Sequence, residues 1–207
     1  MTSLLKRPGI TMALLACLSF CAQAQTADPK FEAMLKEGFR AEGIAGLDRL
    51  QQDQIQALCS DPEQRQKPEV QKTLLEQQAR ALADIKPPAD GKYLGDWKAG
   101  EAIAQSGRGA TWSDTTKVPN GGGCYNCHQI SQQEISYGNI GPSLTGYGKM
   151  RGTSQAILTY TWNRINNSKA YNACSNMPRM AHFNLLTEQQ IKDVMALLLD
   201  PASPVNQ

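Results

Sequence analysis

Cys124-Tyr125-Asn126-Cys127-His128 is the stretch that decides how this chain folds. A C-x-x-C-H run is typical of covalent attachment of a c-type haem, because two thiols at this spacing can add across the two vinyl groups of one porphyrin. The adjacent histidine is thereby held beside the iron as its proximal ligand. The sequence therefore predicts one covalently bound haem c, attached through Cys124 and Cys127 and ligated by His128.

Two other kinds of site also use closely spaced cysteines. A redox-active C-x-x-C pair is expected near a βαβ pattern, and a zinc site needs a second pair of ligands at suitable spacing. Neither pattern is visible in a sequence that contains six cysteines and two histidines. The motif therefore favours haem attachment over both alternatives.

Residues 1–24 have the features of a secretory signal peptide. Lys6 and Arg7 precede an apolar run over residues 12–20, and Ala22-Gln23-Ala24 provides an A-x-A cleavage site. We expect the mature chain to begin at Gln25 in the periplasm. No later stretch approaches the ~20 apolar residues of a membrane helix, so no membrane span is predicted.

A second interpretation of the N-terminus stays open. Leu14-Leu15-Ala16-Cys17 is similar to a bacterial lipoprotein box, which would place a lipid on Cys17 instead of a start at Gln25. We favour cleavage after Ala24 because its site is the better formed of the two. The mass of the intact protein distinguishes them.

Charge and the remaining cysteines narrow the choice of partner and compartment. Once Lys6 and Arg7 leave with the signal peptide, basic and acidic residues are equal at 19, which argues against nucleic acid or an anionic membrane surface as a partner. Besides the haem cysteines, the mature chain keeps Cys59 and Cys174. In an oxidising compartment such a pair most simply forms a disulfide, with a free thiol or a link to a partner chain as alternatives.

Apolar residues recur at helical spacing along most of the chain, with no strand pattern of note and no internal repeat. The last helix has a capping box from Thr187 to Gln190 and ends before Pro201. Pro87-Pro88-Ala89-Asp90-Gly91 interrupts the pattern and reads as a domain edge. We predict helices over residues 28–41, 46–59, 70–85, 97–105, 153–166 and 187–199.

These helices suggest two parts after the signal peptide. Residues 25–90 form a helical N-terminal extension that packs on the haem domain or on a partner, and residues 91–207 form a mono-haem cytochrome c domain. In small c-type cytochromes a helix before the haem motif crosses the C-terminal helix, and the small residues Ala99, Gly100 and Ala104 would permit that contact. The predicted fold class is all-α, similar to class I cytochromes c.

Two loops supply further candidate residues. Gly141-Pro142-Ser143-Leu144 resembles the loop that, in class I cytochromes c, offers its proline carbonyl to the haem histidine, which assigns that role to Pro142. Asn176-Met177-Pro178 resembles their distal loop, which assigns Met177 as the second axial ligand of the iron. Met180 and His182 are the alternatives, Met150 is a lesser candidate, and Met195 is expected in the core.

Longer segments resemble the SoxX family, the smaller c-type cytochrome subunits of bacterial SoxAX sulfur-oxidation complexes. The similarity extends from about Asp96 to Asn206, whereas the first ~90 residues match loosely because family members differ in their N-terminal extensions. The segments are Gly138-Asn139-Ile140-Gly141-Pro142-Ser143-Leu144, Tyr171-Asn172-Ala173-Cys174-Ser175-Asn176-Met177-Pro178-Arg179 and Ile191-Lys192-Asp193-Val194-Met195-Ala196-Leu197-Leu198-Leu199-Asp200-Pro201.

The resemblance implies a heterodimer with a SoxA-type subunit that carries one or two haems. That partner would join thiosulfate oxidatively to a cysteine of the carrier protein SoxYZ, the reaction of an L-cysteine S-thiosulfotransferase. This chain would accept the electrons and pass them to a soluble cytochrome c. The resemblance assigns it no catalytic residue and no sulfur nucleophile.

Two functions of other classes compete with this one. A free-standing periplasmic electron carrier would need only ~80–120 residues, so the N-terminal extension favours a subunit with an extra surface to bury. A haem sensor or peroxidase-like enzyme would need an open sixth position on the iron. The basic residues near the haem motif are expected to be solvated surface charges that neutralise the haem propionates, in preference to a role in guiding thiosulfate or binding SoxA. They are Lys149, Arg151, Arg164, Lys169 and Arg179.

Overall fold

Eight α-helices and four short 3-10 helices make up the regular structure of a computed structural model, which describes residues 28–117 and 119–207. The signal peptide and Cys17 lie outside these residues. No β-strand occurs in the described part of the chain, which confirms the all-α prediction. The α-helices are α1 (Pro29–Gly38), α2 (Gln54–Ser60), α3 (Pro62–Arg65), α4 (Pro68–Asp84), α5 (Trp97–Gln105), α6 (Tyr147–Arg151), α7 (Gln155–Asn166) and α8 (Glu188–Leu199). The 3-10 helices are Leu47–Leu50, Cys124–Asn126, Ser168–Ala170 and Pro204–Asn206.

The main core is built around α8, every residue of which from Ile191 to Leu199 is buried. Its predicted capping box is present, since the Thr187 hydroxyl accepts the N–H of Gln190. Helix α5 crosses α8 so closely that a methyl group at Gly100 would overlap the carbonyl of Asp193. The contact predicted from the small residues of α5 is therefore present.

A second, smaller core joins the N-terminal region to the segment before Met177. Val70 and Leu74 of α4 pack with Ala173, and the cluster is completed by the disulfide between Cys59 and Cys174. The predicted pairing of these two cysteines is thus confirmed. The extension is anchored on the segment that carries the candidate distal ligand.

The predicted helix over residues 46–59 is wrong as a single element. A 3-10 helix at Leu47–Leu50 ends before α2, which begins anew after Asp53. The Asp53 carboxylate accepts the N–H of Gln56 at 2.7 Å, and the Gln56 side chain accepts the N–H of Asp53 at 2.8 Å. This capping box stabilises a new helix start, a signal that apolar spacing alone does not contain. Helices α3 and α6, each of five residues or fewer, are not among the predicted elements.

Helix α1 forms, but its apolar face is not covered as its periodicity suggested. None of its residues is buried, and Phe31 and Met34 keep 49% and 57% of their surface exposed. Phe39, just after its end, is 54% exposed. These side chains therefore lack a partner within the described residues. Over the same residues no helix has the length and apolar character needed to cross a bilayer.

Candidate haem site

The C-x-x-C-H run forms one tight turn after α5. Gly123 enters the turn in the left-handed conformation, with φ of 56°, and the carbonyl of Cys124 then accepts the N–H groups of Cys127 at 3.1 Å and His128 at 2.9 Å. Glycine suits this position because a side chain disfavours positive φ. Neither Cys124 nor Cys127 takes part in a disulfide, so both sulfurs are available for thioether bonds. Before any haem is attached, burial raises the pKa of the Cys124 thiol to about 11.

The glycines before the turn allow close approaches between protein atoms. A methyl group on Gly121 would overlap the carbonyl of Ser106, just past the end of α5. Gly122 lies nearer the site, since an added Cβ would come within 3.0 Å of the Cys124 sulfur. This run therefore permits a close approach to backbone at the end of α5 and, at Gly122, to the sulfur of Cys124.

The loop 138–144 lies alongside the C-x-x-C-H turn and is held to it by three backbone hydrogen bonds. A methyl group on Gly141 would overlap the imidazole ring of His128, so only glycine allows the loop to approach this closely. Pro142 follows Gly141, the residue that makes this contact, in the chain. The hydrogen bonds run from Gly138 N–H to Tyr125 O at 2.8 Å, from Gly141 N–H to Cys127 O at 2.8 Å, and from Leu144 N–H to Gln129 O at 2.7 Å.

The carbonyl of Pro142 lies 2.7 Å from Nδ1 of His128. Because a carbonyl only accepts hydrogen bonds, Nδ1 must carry the proton, which leaves the lone pair of a neutral imidazole on Nε2. A metal-bound histidine is commonly oriented in this way. Two free thiols, an oriented imidazole and a glycine beside its ring fit a covalently attached haem.

Tyr125, inside the motif, has a structural role that we did not anticipate from the sequence. Its hydroxyl donates to the Glu101 carboxylate, at 3.1 Å and 3.2 Å from the two oxygens, and accepts the N–H of Ser131 at 3.2 Å. Burial and the Glu101 charge raise the pKa of Tyr125 well above its usual value. The hydrogen bonds of the Tyr125 hydroxyl to Glu101 therefore hold the turn against α5. No spacing rule connects Tyr125 with Glu101, because the contact exists only after α5 packs on the turn.

Met177 lies on the edge of the main core, where it is partly buried. Its backbone is held on both sides, since Ser168 Oγ donates to its carbonyl at 2.6 Å and its N–H donates to Ser175 Oγ at 3.2 Å. Met180 is 5% exposed inside the same core. A thioether at position 177 is thus free of the tight packing that surrounds Met180.

The remaining candidates for the sixth ligand have different environments. Met195 is fully buried in α8, as expected for a core residue, whereas Met150 is 72% exposed. His182 stacks edge-on against Phe183, and its pKa is lowered by burial and by the charge of Arg179.

Two basic residues expected at the surface are instead buried. The side chains of Lys169 and Arg179 are 6% and 10% exposed, and both form ion pairs with Asp53, at 3.5 Å and 3.1 Å respectively. The expectation of solvated surface charge is therefore wrong for these two residues. It failed because the extension, which supplies Asp53, folds over them.

Comparison with known proteins extends these observations to a family. The sequence model of the cytochrome c family matches residues 108–200, which include the C-x-x-C-H turn, Pro142 and Met177. The chain is also 36% identical over 188 residues to an uncharacterised lipoprotein of Aquifex aeolicus (strain VF5), an alignment that covers 90% of this chain and 84% of that protein. Residues 108–200 of this chain form a domain of the cytochrome c family.

The presence of a cytochrome c domain has two consequences. The all-α fold with α5 crossing α8 is that of a class I cytochrome c, and the cofactor is a covalently attached haem c with its iron. Electron transfer to and from partner proteins is the general function of such a domain. Because the alignment with the Aquifex protein covers 90% of this chain, most of the extension before the matched family domain belongs to the shared sequence.

Proposed function

We propose that this cytochrome is the electron-transfer subunit of a SoxAX-type thiosulfate-oxidising complex. Cys124 and Cys127 bind the haem through thioether bonds, and His128 and Met177 are its axial ligands. Residues 25–90 are the extension and residues 91–207 the haem domain. The observation that carries the haem assignment is the 2.7 Å contact between His128 Nδ1 and the carbonyl of Pro142, which leaves the lone pair on Nε2 available to bind a metal.

The residues of the chain tune the site for electron transfer. Haem c supplies a one-electron iron couple when bound. The Pro142 carbonyl fixes the orientation of His128 and raises its basicity, and a thioether ligand from Met177 would favour the reduced iron. With His128 and Met177 both holding the iron, the site would suit electron transfer better than sensing or peroxide chemistry.

Met177 is supported as the sixth ligand by its surroundings. Its two backbone hydrogen bonds, to Ser168 and Ser175, hold the loop while leaving the side chain only partly buried. Met180 and Met195 are committed to the core, and a ligand role for either would remove a packed side chain from it. His182 lies in a group of charged residues with Asp53 and Arg179.

The place in sulfur oxidation rests on the sequence resemblance to SoxX. Joining thiosulfate to a carrier cysteine forms one S–S bond and releases two electrons, which must leave one at a time through haem groups. In this proposal the SoxA-type partner holds the sulfur site and the carrier SoxYZ supplies the cysteine. This chain receives the electrons and delivers them to a soluble cytochrome c.

Helix α1 supports a role as a subunit. Its exposed apolar side chains, Phe31 and Met34, together with Phe39 beyond its end, offer a contact surface that a diffusing carrier has no need to keep. In a heterodimer we expect this surface to lie against the partner.

We also propose export to the periplasm, with cleavage after Ala24. The Aquifex relative is named a lipoprotein, and this chain has its own Cys17 in a similar box. Intact mass of the exported protein decides between a Gln25 start and a lipidated Cys17, and either result leaves the haem domain outside the cytoplasm.

The test is to purify the haem-loaded protein from periplasmic extract of its source and to identify what accompanies it. We expect a second haem-stained chain of SoxA type, and expect the pair to restore thiosulfate-dependent reduction of a cytochrome acceptor. A matched variant, with Phe31 and Met34 both changed to Ser, should lose the partner and keep its haem spectrum. A wild-type protein that emerges alone and exchanges electrons readily by itself would instead be a free-standing carrier.

A further inference from the structure

A cavity of about 310 Å³ lies between the N-terminal extension and the segment that carries Met177. We call it the basic cavity, because Arg65, Lys169 and Arg179 line it. Amide and hydroxyl groups complete the polar lining, among them Gln56 and Asn176. No Asp or Glu of the described residues lines it.

Lys169 is the residue that makes this cavity unusual. Its ammonium nitrogen is fully shielded and makes no hydrogen bond within the described residues. Its charge partner is one oxygen of Asp53, at 3.5 Å. An ammonium group carries three donors, and a single carboxylate oxygen at this distance leaves most of that capacity unused, which is unfavourable in a buried position.

Arg179 shares that same carboxylate. Its guanidinium donates to the second oxygen of Asp53 at 3.1 Å and lies over the ring of Phe183. Asp53 is itself 42% exposed, so part of its charge is screened by solvent. The buried cations Lys169 and Arg179 therefore share one partly solvated anion, the Asp53 carboxylate. The exposed Arg65 adds a third positive charge at the same cavity.

We propose that the basic cavity binds a small oxyanion, such as sulfate or thiosulfate, through Lys169 and Arg179. An oxyanion offers several acceptor atoms and neutralises the surplus positive charge, which the protein alone does not do. The cavity holds the volume of several water molecules, at about 30 Å³ each, so the anion enters with part of its hydration. The inference rests on the cavity and does not require the proposed place in sulfur oxidation.

A carboxylate oxygen from a haem propionate could provide the same chemistry. The cavity is lined by Met177 but by none of Cys124, Cys127 and His128, which places it beside the distal segment and favours an anion from solution. The two alternatives give different results with the holoprotein. An anion from solution acts only when it is added, whereas a haem propionate is already part of the holoprotein.

The experiment compares the wild-type holoprotein with Lys169→Met and with Lys72→Met, an exposed lysine of α4. Binding of sulfate and of thiosulfate is measured by calorimetry, and thermal melting is followed in sulfate and in chloride at equal ionic strength. We expect Lys169→Met to weaken oxyanion binding about 10- to 100-fold, the loss of a charge-assisted hydrogen bond. Lys72→Met should bind as the wild type does.

Melting distinguishes the specific site from the general effect of sulfate. Sulfate stabilises most proteins by exclusion from their surface, so the informative quantity is the extra rise in Tm that Lys72→Met shows and Lys169→Met lacks. Because Met keeps the apolar stem of lysine and removes a buried charge, Lys169→Met should fold in the absence of anion. Neither readout involves a partner protein, so their failure is separate from failure of the proposed function.

The pH dependence of the haem reduction potential identifies a propionate. If oxyanions do not bind but Lys169→Met changes that dependence while Lys72→Met does not, the bound group is the haem's own carboxylate. If all three proteins respond equally in every measurement, the cavity is no anion site and the proposal is overturned.

Discussion

Cys59, in α2, is joined by a disulfide to Cys174, three residues before Met177. The bond connects positions 115 residues apart and ties the N-terminal extension to the segment of the candidate distal ligand. Asp53 strengthens the same connection through its ion pairs with Lys169 and Arg179. A disulfide and two ion pairs therefore connect the extension to the segment of the candidate distal ligand, although the extension contributes none of the proposed ligands.

Replacing both Cys59 and Cys174 by Ala should destabilise the holoprotein by about 2–4 kcal/mol, because a long loop is no longer closed in the unfolded chain. Urea unfolding followed by circular dichroism measures the loss. With the haem iron held in the same oxidation state throughout, opening the disulfide should lower the midpoint of the wild type, whereas the same treatment should leave that of the double variant unchanged. Equal midpoints for the two oxidised proteins would contradict the prediction.

Changing Met177 to Ala should abolish the absorption band typical of methionine-ligated ferric haem. The reduction potential should fall by on the order of 0.1–0.3 V, because axial ligands set haem potentials over a range of ~0.8 V. Spectroscopy and redox titration measure the two effects. Met180→Ala is the matched control, since it should retain the band while losing about 2–5 kcal/mol of stability from the core. Survival of the band in the Met177 variant would refute the ligand assignment.

Gly141→Ala should disturb the contact between the loop and His128, because the added methyl group overlaps the imidazole ring. We expect a loss of about 1–3 kcal/mol, the usual cost of overpacking, measured by thermal melting at a haem absorption wavelength. Gly38→Ala is the control, since an added Cβ there meets nothing within 4 Å. It should melt at or slightly above the wild-type temperature. Identical melting temperatures of the two variants would show that the loop accommodates the added methyl group without loss of stability.

Asp53→Asn should make stability less dependent on acid pH. Burial raises the pKa of Asp53, but the Gln56 N–H and the charges of Lys169 and Arg179 outweigh it, so the pKa lies below the usual 3.8. A lowered pKa means that the charged carboxylate stabilises the fold above pH 4 and that this stability is lost as pH falls through the folded value.

At neutral pH the Asn variant should therefore be less stable by about 1–3 kcal/mol, a value reduced from that of a fully buried pair because Asp53 is partly exposed. Asn preserves the cap of α2, so the helix itself should remain. Denaturant unfolding from pH 7 to pH 3 should show the difference between the two proteins shrinking below pH 4. A constant difference over this range would contradict the role of the charge.

Much of the helical structure could be predicted from local pattern. The bounds of α5 agree residue by residue with the prediction, and α8 starts at the predicted capping box. The error at residues 46–59 arose because apolar spacing runs through a point where the Asp53 side chain starts a new helix. Burial was harder to predict, since Phe31 and Met34 have the spacing of a buried face and lie exposed.

The sequence by itself determined the all-α fold and the covalently attached haem c, because both depend on residues close together in the chain. The spacing of Cys124, Cys127 and His128 is a local property, and so is helical periodicity. The leftover cysteines predicted the disulfide, but only the tertiary structure decided that this bond ties the extension to the segment before Met177 and that Lys169 and Arg179 are buried over Asp53. These contacts join segments more than a hundred residues apart, and their formation depends on how the extension packs, which no local pattern encodes.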